Sequence, residues 1–280
     1  MFRLDLPLPI HRAWIIIPFV LLTALVPEAA SATLPGPAEQ ASASPVATYS
    51  IVAFDPATGD LGVGVQSKFF GVGSVVPWAQ AGVGAIATQS YANVAYGPEG
   101  LALLRGGASA RETVDRLTAG DDGRARRQLA VVDARGRVAV HTGDGCQAWA
   151  GHREGDHFAV QGNLLVDANV VDAMAHAYQT ARSRDGSQLA DWILAALDAA
   201  QAAGGDRRGQ QSAAMLVVRD RGGVWGQNDR FIDLRVEDHP RPIEELGRLL
   251  EVHKLFYRAT HAQRPVRVPQ PLPDPAPPAE

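Results

Sequence analysis

The sequence has 280 residues, of which 46% are hydrophobic, with a formal net charge of −4 and a single cysteine, Cys146. Such a mild charge argues against nucleic acid or an anionic membrane as the main partner. One cysteine excludes an internal disulfide, so the stability of the fold has to come from its core.

The N-terminal segment has the pattern of an export signal. Basic residues come first, an apolar stretch covers residues 13–26, and the small residues Ala30-Ser31-Ala32 form a cleavage pattern. The apolar stretch is short for a membrane span, so membrane anchoring is the weaker alternative. We therefore expect residues 1–32 to be a signal peptide. The mature protein is then exported, periplasmic or secreted, with no membrane attachment after cleavage.

Two segments rich in proline, alanine and serine flank the central part of the chain. They cover residues 33–47 and residues 262–280. Neither has an apolar period, so neither buries enough surface to offset the entropy cost of ordering. We predict a disordered leader or propeptide, a disordered proline-rich tail, and between them one domain that spans residues 48–261.

Within this domain, the hydrophobic pattern predicts strands and helices in alternating blocks. Alternating apolar residues indicate strands, and apolar residues three or four positions apart indicate helices. Ser109 and Glu112 form a capping box at the start of the second helix. In chain order, the predicted elements are strands 48–54, 61–66 and 83–89, helices 98–106 and 109–120, strands 128–132, 137–141 and 158–161, helices 171–178 and 189–200, strands 213–219 and 231–236, and a last helix 243–257.

This order of elements favours an α+β fold. Strands joined by hairpins form largely antiparallel sheets. Helices that come in blocks have to cover the outer faces of those sheets, because each apolar face needs a partner layer. We therefore predict a four-layer αββα sandwich of two mainly antiparallel sheets.

Several short segments of the domain resemble a known family. The chain is similar to DUF1028, an uncharacterised bacterial family within the N-terminal-nucleophile (Ntn) hydrolases, the superfamily of the proteasome β subunits. The resemblance covers about residues 48–236 and implies an Ntn-hydrolase-like fold, whereas it implies no substrate. The segments that carry it include Thr48-Tyr-Ser-Ile-Val-Ala, Gly62-Val-Gly-Val-Gln-Ser-Lys68, Tyr96-Gly97-Pro98, Trp149-Ala-Gly-His152, Gln161-Gly-Asn163 and Gly204-Gly-Asp-Arg-Arg-Gly209.

The resemblance implies that Thr48 is the nucleophile. A threonine hydroxyl needs an adjacent base, and a free α-amine, with a pKa of about 8, can act as that base. The amine is free only if the bond between Ala47 and Thr48 is cut, because removal of the signal peptide leaves residues 33–47 attached. A second cleavage, by the protein itself or by another protease, is therefore part of the hypothesis.

Two residues at the end of the second strand are candidates to assist Thr48. A hairpin brings its two ends together, and Ser67 and Lys68 lie on opposite strand faces, so only one of them can face Thr48. Lys68 is preferred, because a nearby ammonium lowers the pKa of the α-amine and orients the hydroxyl. An ordinary surface lysine at a strand end is the alternative. Ser50, on the same strand face as Thr48, is a further hydroxyl that either supports the site or only packs.

Gly162 and Asn163 are expected to stabilise an oxyanion. They lie where a strand meets a helix, and in the related hydrolases this junction supplies backbone amides for that purpose. Gly162 permits a close approach of substrate, and the side chain of Asn163 is a further donor. A turn or a helix cap is the structural alternative for both residues.

The loop before the strand 213–219 contains the remaining polar candidates. By position it resembles a loop that brings an aspartate and a serine towards the nucleophile in proteasome-like enzymes, which points to Asp206 and Ser212. Arg207 or Arg208 is a candidate to bind a substrate carboxylate with two parallel hydrogen bonds. A helix cap followed by solvated charges is the equally weighted alternative.

Cys146 is the last candidate nucleophile, with His141, His152 and His157 close to it in sequence. A small buried cysteine is the more common outcome. The same histidines lack a regular zinc spacing, so we predict no metal. The sequence contains no phosphate loop and no dinucleotide fingerprint, so we predict no cofactor.

These observations predict an exported amide-bond hydrolase with an N-terminal threonine. Its substrates would be short peptides, γ-glutamyl compounds or acylated amino acids, among which the sequence does not choose. The alternative is a non-catalytic binding or assembly module that keeps the fold, in which Thr48 is only the first residue of a strand. A homo-oligomer is expected by analogy with related hydrolases of this fold.

Overall fold

The structure, a computed structural model, describes residues 48–257. The predicted signal peptide, leader and proline-rich tail lie outside the described residues. Within 48–257, no helix is long and apolar enough to cross a membrane.

The described residues form ten strands and five α-helices in the predicted order. The strands are β1 (Thr48–Phe54), β2 (Leu61–Ser67), β3 (Pro77–Gln80), β4 (Gly84–Ser90), β5 (Arg127–Asp133), β6 (Val138–Thr142), β7 (Gly151–Gly155), β8 (Phe158–Gly162), β9 (Ser212–Val218) and β10 (Arg230–Val236). The helices are α1 (Tyr96–Arg105), α2 (Ala110–Ala119), α3 (Asn169–Arg182), α4 (Leu189–Ala202) and α5 (Pro242–Phe256). The sequence predicts all of these elements except β3 and β7.

The strands form two antiparallel sheets, as predicted. One sheet has six strands in the order β10-β9-β2-β1-β8-β7, and the other has four in the order β3-β4-β5-β6. Every neighbouring pair in both sheets is antiparallel. The first hairpin therefore lies at the centre of the larger sheet, where β1 is paired with β2 on one side and with β8 on the other.

Three hydrophobic clusters hold these elements together. One contains Val52 and Val65 of the six-stranded sheet and Ala87 and Ala130 of the four-stranded sheet, so it joins the two sheets. A second joins the six-stranded sheet to α3, α4 and α5. The third joins the four-stranded sheet to α1 and α2. Each sheet thus buries both of its faces, which explains why most strands contain few exposed positions.

The space between the two sheets is apolar at one end and polar at the other. Side chains alternate along β1, so Val52 joins the inter-sheet cluster and Ser50 and Thr48 follow it on the same face. The same alternation on the other strands brings further polar residues to this end, which we call the polar end. Its members, all buried, are Thr48, Ser50, Ser67, Gln89, Gln128, Gln161, Asn163 and Ser212. This concentration of buried polar groups identifies the polar end as the candidate site.

Candidate active site

Three hydroxyl residues lie side by side across the centre of the larger sheet. Thr48 of β1 is the register partner of Ser67 on β2, which is in turn the partner of Ser212 on β9. Thr48 Oγ1 donates a hydrogen bond to Ser67 Oγ at 3.1 Å. Ser212 Oγ instead donates to the carbonyl oxygen of Phe69 at 2.5 Å, so it fixes the chain that follows β2. The predicted nucleophile therefore has a second hydroxyl as its direct neighbour.

The expectation that Lys68 rather than Ser67 faces Thr48 is wrong. The register pairs Thr48 with Ser67, so the next side chain points away from the shared face. Lys68 is exposed, and its Nζ donates to the carbonyl oxygen of Gln210 at 3.4 Å. Its ammonium is therefore directed at the neighbouring loop, and the structure provides no contact through which it would orient the Thr48 hydroxyl.

Asp206 binds Lys68 and Arg208. The buried carboxylate accepts the Lys68 backbone N–H at 3.2 Å, Arg208 Nε at 3.1 Å and Arg208 Nη2 at 2.8 Å. This pairing neutralises both charges and ties the loop to the end of β2. Arg208 is therefore already engaged, whereas the exposed Arg207 contacts residues 48–257 through its backbone N–H, which donates to the carbonyl of Leu164 at 3.0 Å. Arg207 is thus the arginine of this loop that has a side chain directed to solvent.

Amide side chains connect the two sheets at the polar end. Gln128 Nε2 donates to the carbonyl oxygens of Gly162 at 2.8 Å and Gly151 at 3.2 Å. Its Oε1 accepts from Gln89 Nε2 at 2.9 Å and from Asn163 Nδ2 at 3.0 Å. Because one glutamine satisfies groups from both sheets, Gln128 fixes the distance between them at the site.

This amide network contacts the main chain of the nucleophile. The carbonyl oxygen of Thr48 accepts from Gln89 Nε2 at 3.2 Å and from the backbone N–H of Asn163 at 3.0 Å. Ser50 Oγ donates to Gln89 Oε1 at 2.6 Å, and Gln161 Nε2 donates to Ser50 Oγ at 3.3 Å. Ser50 therefore links two glutamines rather than contacting the Thr48 hydroxyl.

The geometry does not support the oxyanion role expected for Asn163, whereas the role expected for Gly162, which would use its backbone N–H, stays a prediction. The backbone N–H of Asn163 is bonded to Thr48, and its side-chain Nδ2 is bonded to Gln128. The carbonyl oxygen of Gly162 accepts from the same glutamine. The backbone N–H and the side-chain Nδ2 of Asn163 are thus both bonded within the chain. The residue holds β1 against the end of β8.

Cys146 is poorly placed for nucleophilic chemistry. Its half-buried thiol contacts the carbonyl oxygen of Arg127 at 3.3 Å, and burial raises the pKa of the Cys146 thiol. The histidines near it in sequence bind elsewhere: His141 to Arg124, His152 to Thr142 and His157 to Gly136. A protonated thiol without an imidazole partner is a weak nucleophile. In residues 48–257, no group of three or more histidine, cysteine, aspartate or glutamate side chains is arranged to hold a metal.

Three members of the polar end and its surroundings are not predicted from the sequence: Gln89, Gln128 and, in its role here, His152. Both glutamines occupy inward positions of predicted strands, in register with the core residues Ala87 and Ala130 two positions away. That alternation could have identified them as buried amides. Thr142 connects the network to the ring of His152, since its Oγ1 accepts from Gln128 at 3.2 Å and lies 2.9 Å from His152 Nδ1. Burial lowers the pKa of His152, which keeps the ring neutral at physiological pH.

Comparison with known proteins finds that the chain is similar to one family and to solved structures, among them a DUF1028-family protein and Anbu. The sequence model of the "Family of unknown function (DUF1028)" matches residues 48–246. A crystal structure of a DUF1028-family protein from Silicibacter pomeroyi is 34% identical, covers 74% of this chain and 86% of its own, and has a TM-score of 0.67. Anbu, the "ancestral beta-subunit", from Yersinia bercovieri is 13% identical, covers 75% of this chain and 97% of its own, and has a TM-score of 0.35. The search of curated proteins found no match.

Proposed function

The chain belongs to the DUF1028 family, a family of unknown function, and we propose from its site that it is an amide-bond hydrolase of the Ntn type. The observation that carries the proposal is the buried hydroxyl of Thr48, 3.1 Å from Ser67 at the polar end. The family match begins at this same residue. The three hydrophobic clusters support a four-layer αββα sandwich like that of the Ntn hydrolases.

The reaction would begin at the Thr48 hydroxyl. Oγ1 attacks the carbonyl carbon of an amide, and its proton passes to the freed α-amine of the same residue, which is the base. The C–N bond then breaks, the leaving amine takes the proton, and an ester remains on Thr48. Water attacks this ester with the same amine as base, which releases the acid and restores the hydroxyl.

The proposal also includes the compartment and the substrate class. The N-terminal pattern supports export, and the predicted substrates are a short peptide, a γ-glutamyl compound or an acylated amino acid. Arg207 is the residue proposed to bind a substrate carboxylate, because its side chain is exposed while Arg208 is paired with Asp206. Association into a homo-oligomer remains part of the proposal by fold analogy.

The experiment that tests this function is N-terminal sequencing and intact-mass analysis of the protein recovered from the exported fraction. We expect a chain that starts at Thr48. Thr48→Ala should then abolish hydrolysis in a screen of amide substrates. Thr48→Ser should retain activity, because serine keeps the hydroxyl and the amine. Thr58→Ala, which removes a hydroxyl from the turn at the other end of the same hairpin, should act as wild type.

A chain that starts at Thr33 and hydrolyses no amide would overturn the proposal. Its Thr48 nitrogen would be an amide, and the mechanism would have no base. The alternative, a non-catalytic binding or assembly module that retains the fold, would then be the better description.

A further inference from the structure

The side chain of Asn163 has one polar atom that the site described above does not use. Asn163 is fully buried, and its Nδ2 is bonded to Gln128. Within the described part of the chain, no donor contacts its Oδ1. A buried acceptor without a donor is unfavourable, because it has lost its hydrogen bonds to water without a replacement. An oxygen in this position therefore indicates a donor that reaches it in the functional form of the protein.

The orientation of the Asn163 amide follows from its neighbours. Gln128 Nε2 donates to the carbonyl oxygens of Gly162 and Gly151, and carbonyl oxygens can only accept. Gln128 must therefore present Oε1 to Asn163, and Asn163 must present Nδ2 to Gln128. This leaves Oδ1 on the other side of the amide, away from Gln128.

Asn163 is also the direct cross-strand neighbour of Thr48. Tyr49 and Gly162 are the last pair of the β1–β8 ladder, and the next residue, Asn163, donates its N–H to the Thr48 carbonyl at 3.0 Å, which continues the same register. In such an antiparallel pair the nitrogen of each residue faces the carbonyl of the other. The Thr48 nitrogen therefore lies beside Asn163. In the uncut chain this nitrogen has one N–H, whereas a free ammonium has three donors.

We propose that Asn163 is the positioning residue for the α-amine of Thr48. Hydrolysis of the bond between Ala47 and Thr48 consumes one water and gives a carboxylate on Ala47 and an ammonium on Thr48. The main-chain carbonyl and Oδ1 of Asn163 accept hydrogen bonds from this ammonium. The inference rests on the proposed function and assigns the positioning of the α-amine to a neutral residue.

A neutral acceptor suits a catalytic amine better than a carboxylate would. Both fix its position, but a carboxylate at this distance stabilises the ammonium strongly and holds the proton at neutral pH. An amide oxygen leaves the pKa closer to that of a free α-amine, so the neutral base is populated. The titratable groups around this corner come from the end of β2, from the loops before β7 and β9, and from β7: Lys68, Cys146, Asp206, Arg207, Arg208 and His152.

The test measures the amine itself, so it needs no substrate. The processed protein is labelled competitively with acetic anhydride over a range of pH, and the extent of labelling at Thr48 is read by mass spectrometry. Asn163→Asp should raise the pKa of the amine by at least about one unit, and labelling at pH 7 should fall at least about tenfold. Asn163→Ala should lower the pKa and increase labelling, because an acceptor of the charged form is lost.

Asn169→Asp is the matched control. It makes the same change of charge at the exposed start of α3 and should leave the pKa of the amine at the wild-type value. If Asn163→Asp does not fold, Asn163→Ala decides, since it keeps the backbone bond to Thr48. A wild-type pKa in the folded Asn163 variants overturns the inference and leaves the proposed function intact. A wild-type protein with no free Thr48 amine overturns the proposed function itself.

Discussion

Two buried glutamines of the larger and smaller sheets provide a test of how the polar end is stabilised. Gln66 on β2 and Gln128 on β5 are both fully buried. Gln128 exchanges hydrogen bonds with both sheets, whereas neither polar atom of the Gln66 side chain has a partner among residues 48–257. Gln66 lies two residues after Gly64 on β2, so the two residues face the same side of the sheet. Gly64 packs against Ile193 of α4, so Gln66 lies on the side that faces the helices.

The two residues should respond in opposite ways to replacement by leucine. Gln128→Leu removes a hydrogen-bond partner from five groups: the carbonyls of Gly162 and Gly151, the Thr142 hydroxyl, and the side-chain donors of Gln89 and Asn163. At about 1 kcal/mol for each group, the free energy of unfolding should fall by about 5 kcal/mol. Gln66→Leu removes two unpaired polar atoms and should leave stability unchanged or raise it by about 1–3 kcal/mol.

Urea unfolding of the purified full chain, followed by circular dichroism, measures both values. The comparison is well matched, because the same substitution is made at two fully buried strand positions. Equal destabilisation of the two variants would refute the reasoning. The cost would then depend on burial and packing alone, and the hydrogen bonds of Gln128 would contribute nothing specific.

Three further predictions concern packing, pH and the thiol. Gly64→Ala should destabilise the fold by about 1–3 kcal/mol in the same assay, because its Cβ would overlap with Cγ2 of the fully buried Ile193. Burial alone would raise the pKa of Asp121, but hydrogen bonds, the strongest from Arg127, hold it below its usual range. Its stabilisation is therefore present above about pH 4 and lost at lower pH, so Asp121→Asn should flatten the acid loss of stability in pH-dependent unfolding. Cys146→Ser should keep full amide hydrolysis, and iodoacetamide should label the wild-type thiol slowly at pH 7.

Local sequence signals predicted most of the fold. The first hairpin and the capping box of Ser109 and Glu112 depend on short-range pattern, and the structure confirms both. β3 and β7 are not predicted, because neither has a short-range pattern that is typical of a strand. β3 has only four residues and begins at Pro77, and β7 reads Gly-His-Arg-Glu-Gly, with no apolar side chain. Both are edge strands whose pairing is decided by a neighbouring strand rather than by their own sequence.

The candidate site was predictable in its location but not in its contacts. Alternation along β2 correctly required that either Ser67 or Lys68 face Thr48, and it could not choose between them. The choice of Lys68 rested on the chemistry that an ammonium offers, whereas the cross-strand register decides the contact. The bonds of Gln128 to Gln89 and Asn163 join three separate segments, so no local pattern contains them.

The position of Ser67 reduces the number of groups that can act as the base in the proposed reaction. The Thr48 hydroxyl donates to Ser67 Oγ, and a second hydroxyl is no better a proton acceptor than the first at neutral pH. Lys68 is directed at Gln210, so its side chain is not the base in this arrangement. The α-amine of Thr48 is then the group best placed to take the proton, and it exists as a base only after the bond to Ala47 is cut. Cleavage at this bond would therefore switch on catalysis without any rearrangement of the two sheets, because the polar end that surrounds Thr48 is already assembled in the uncut chain.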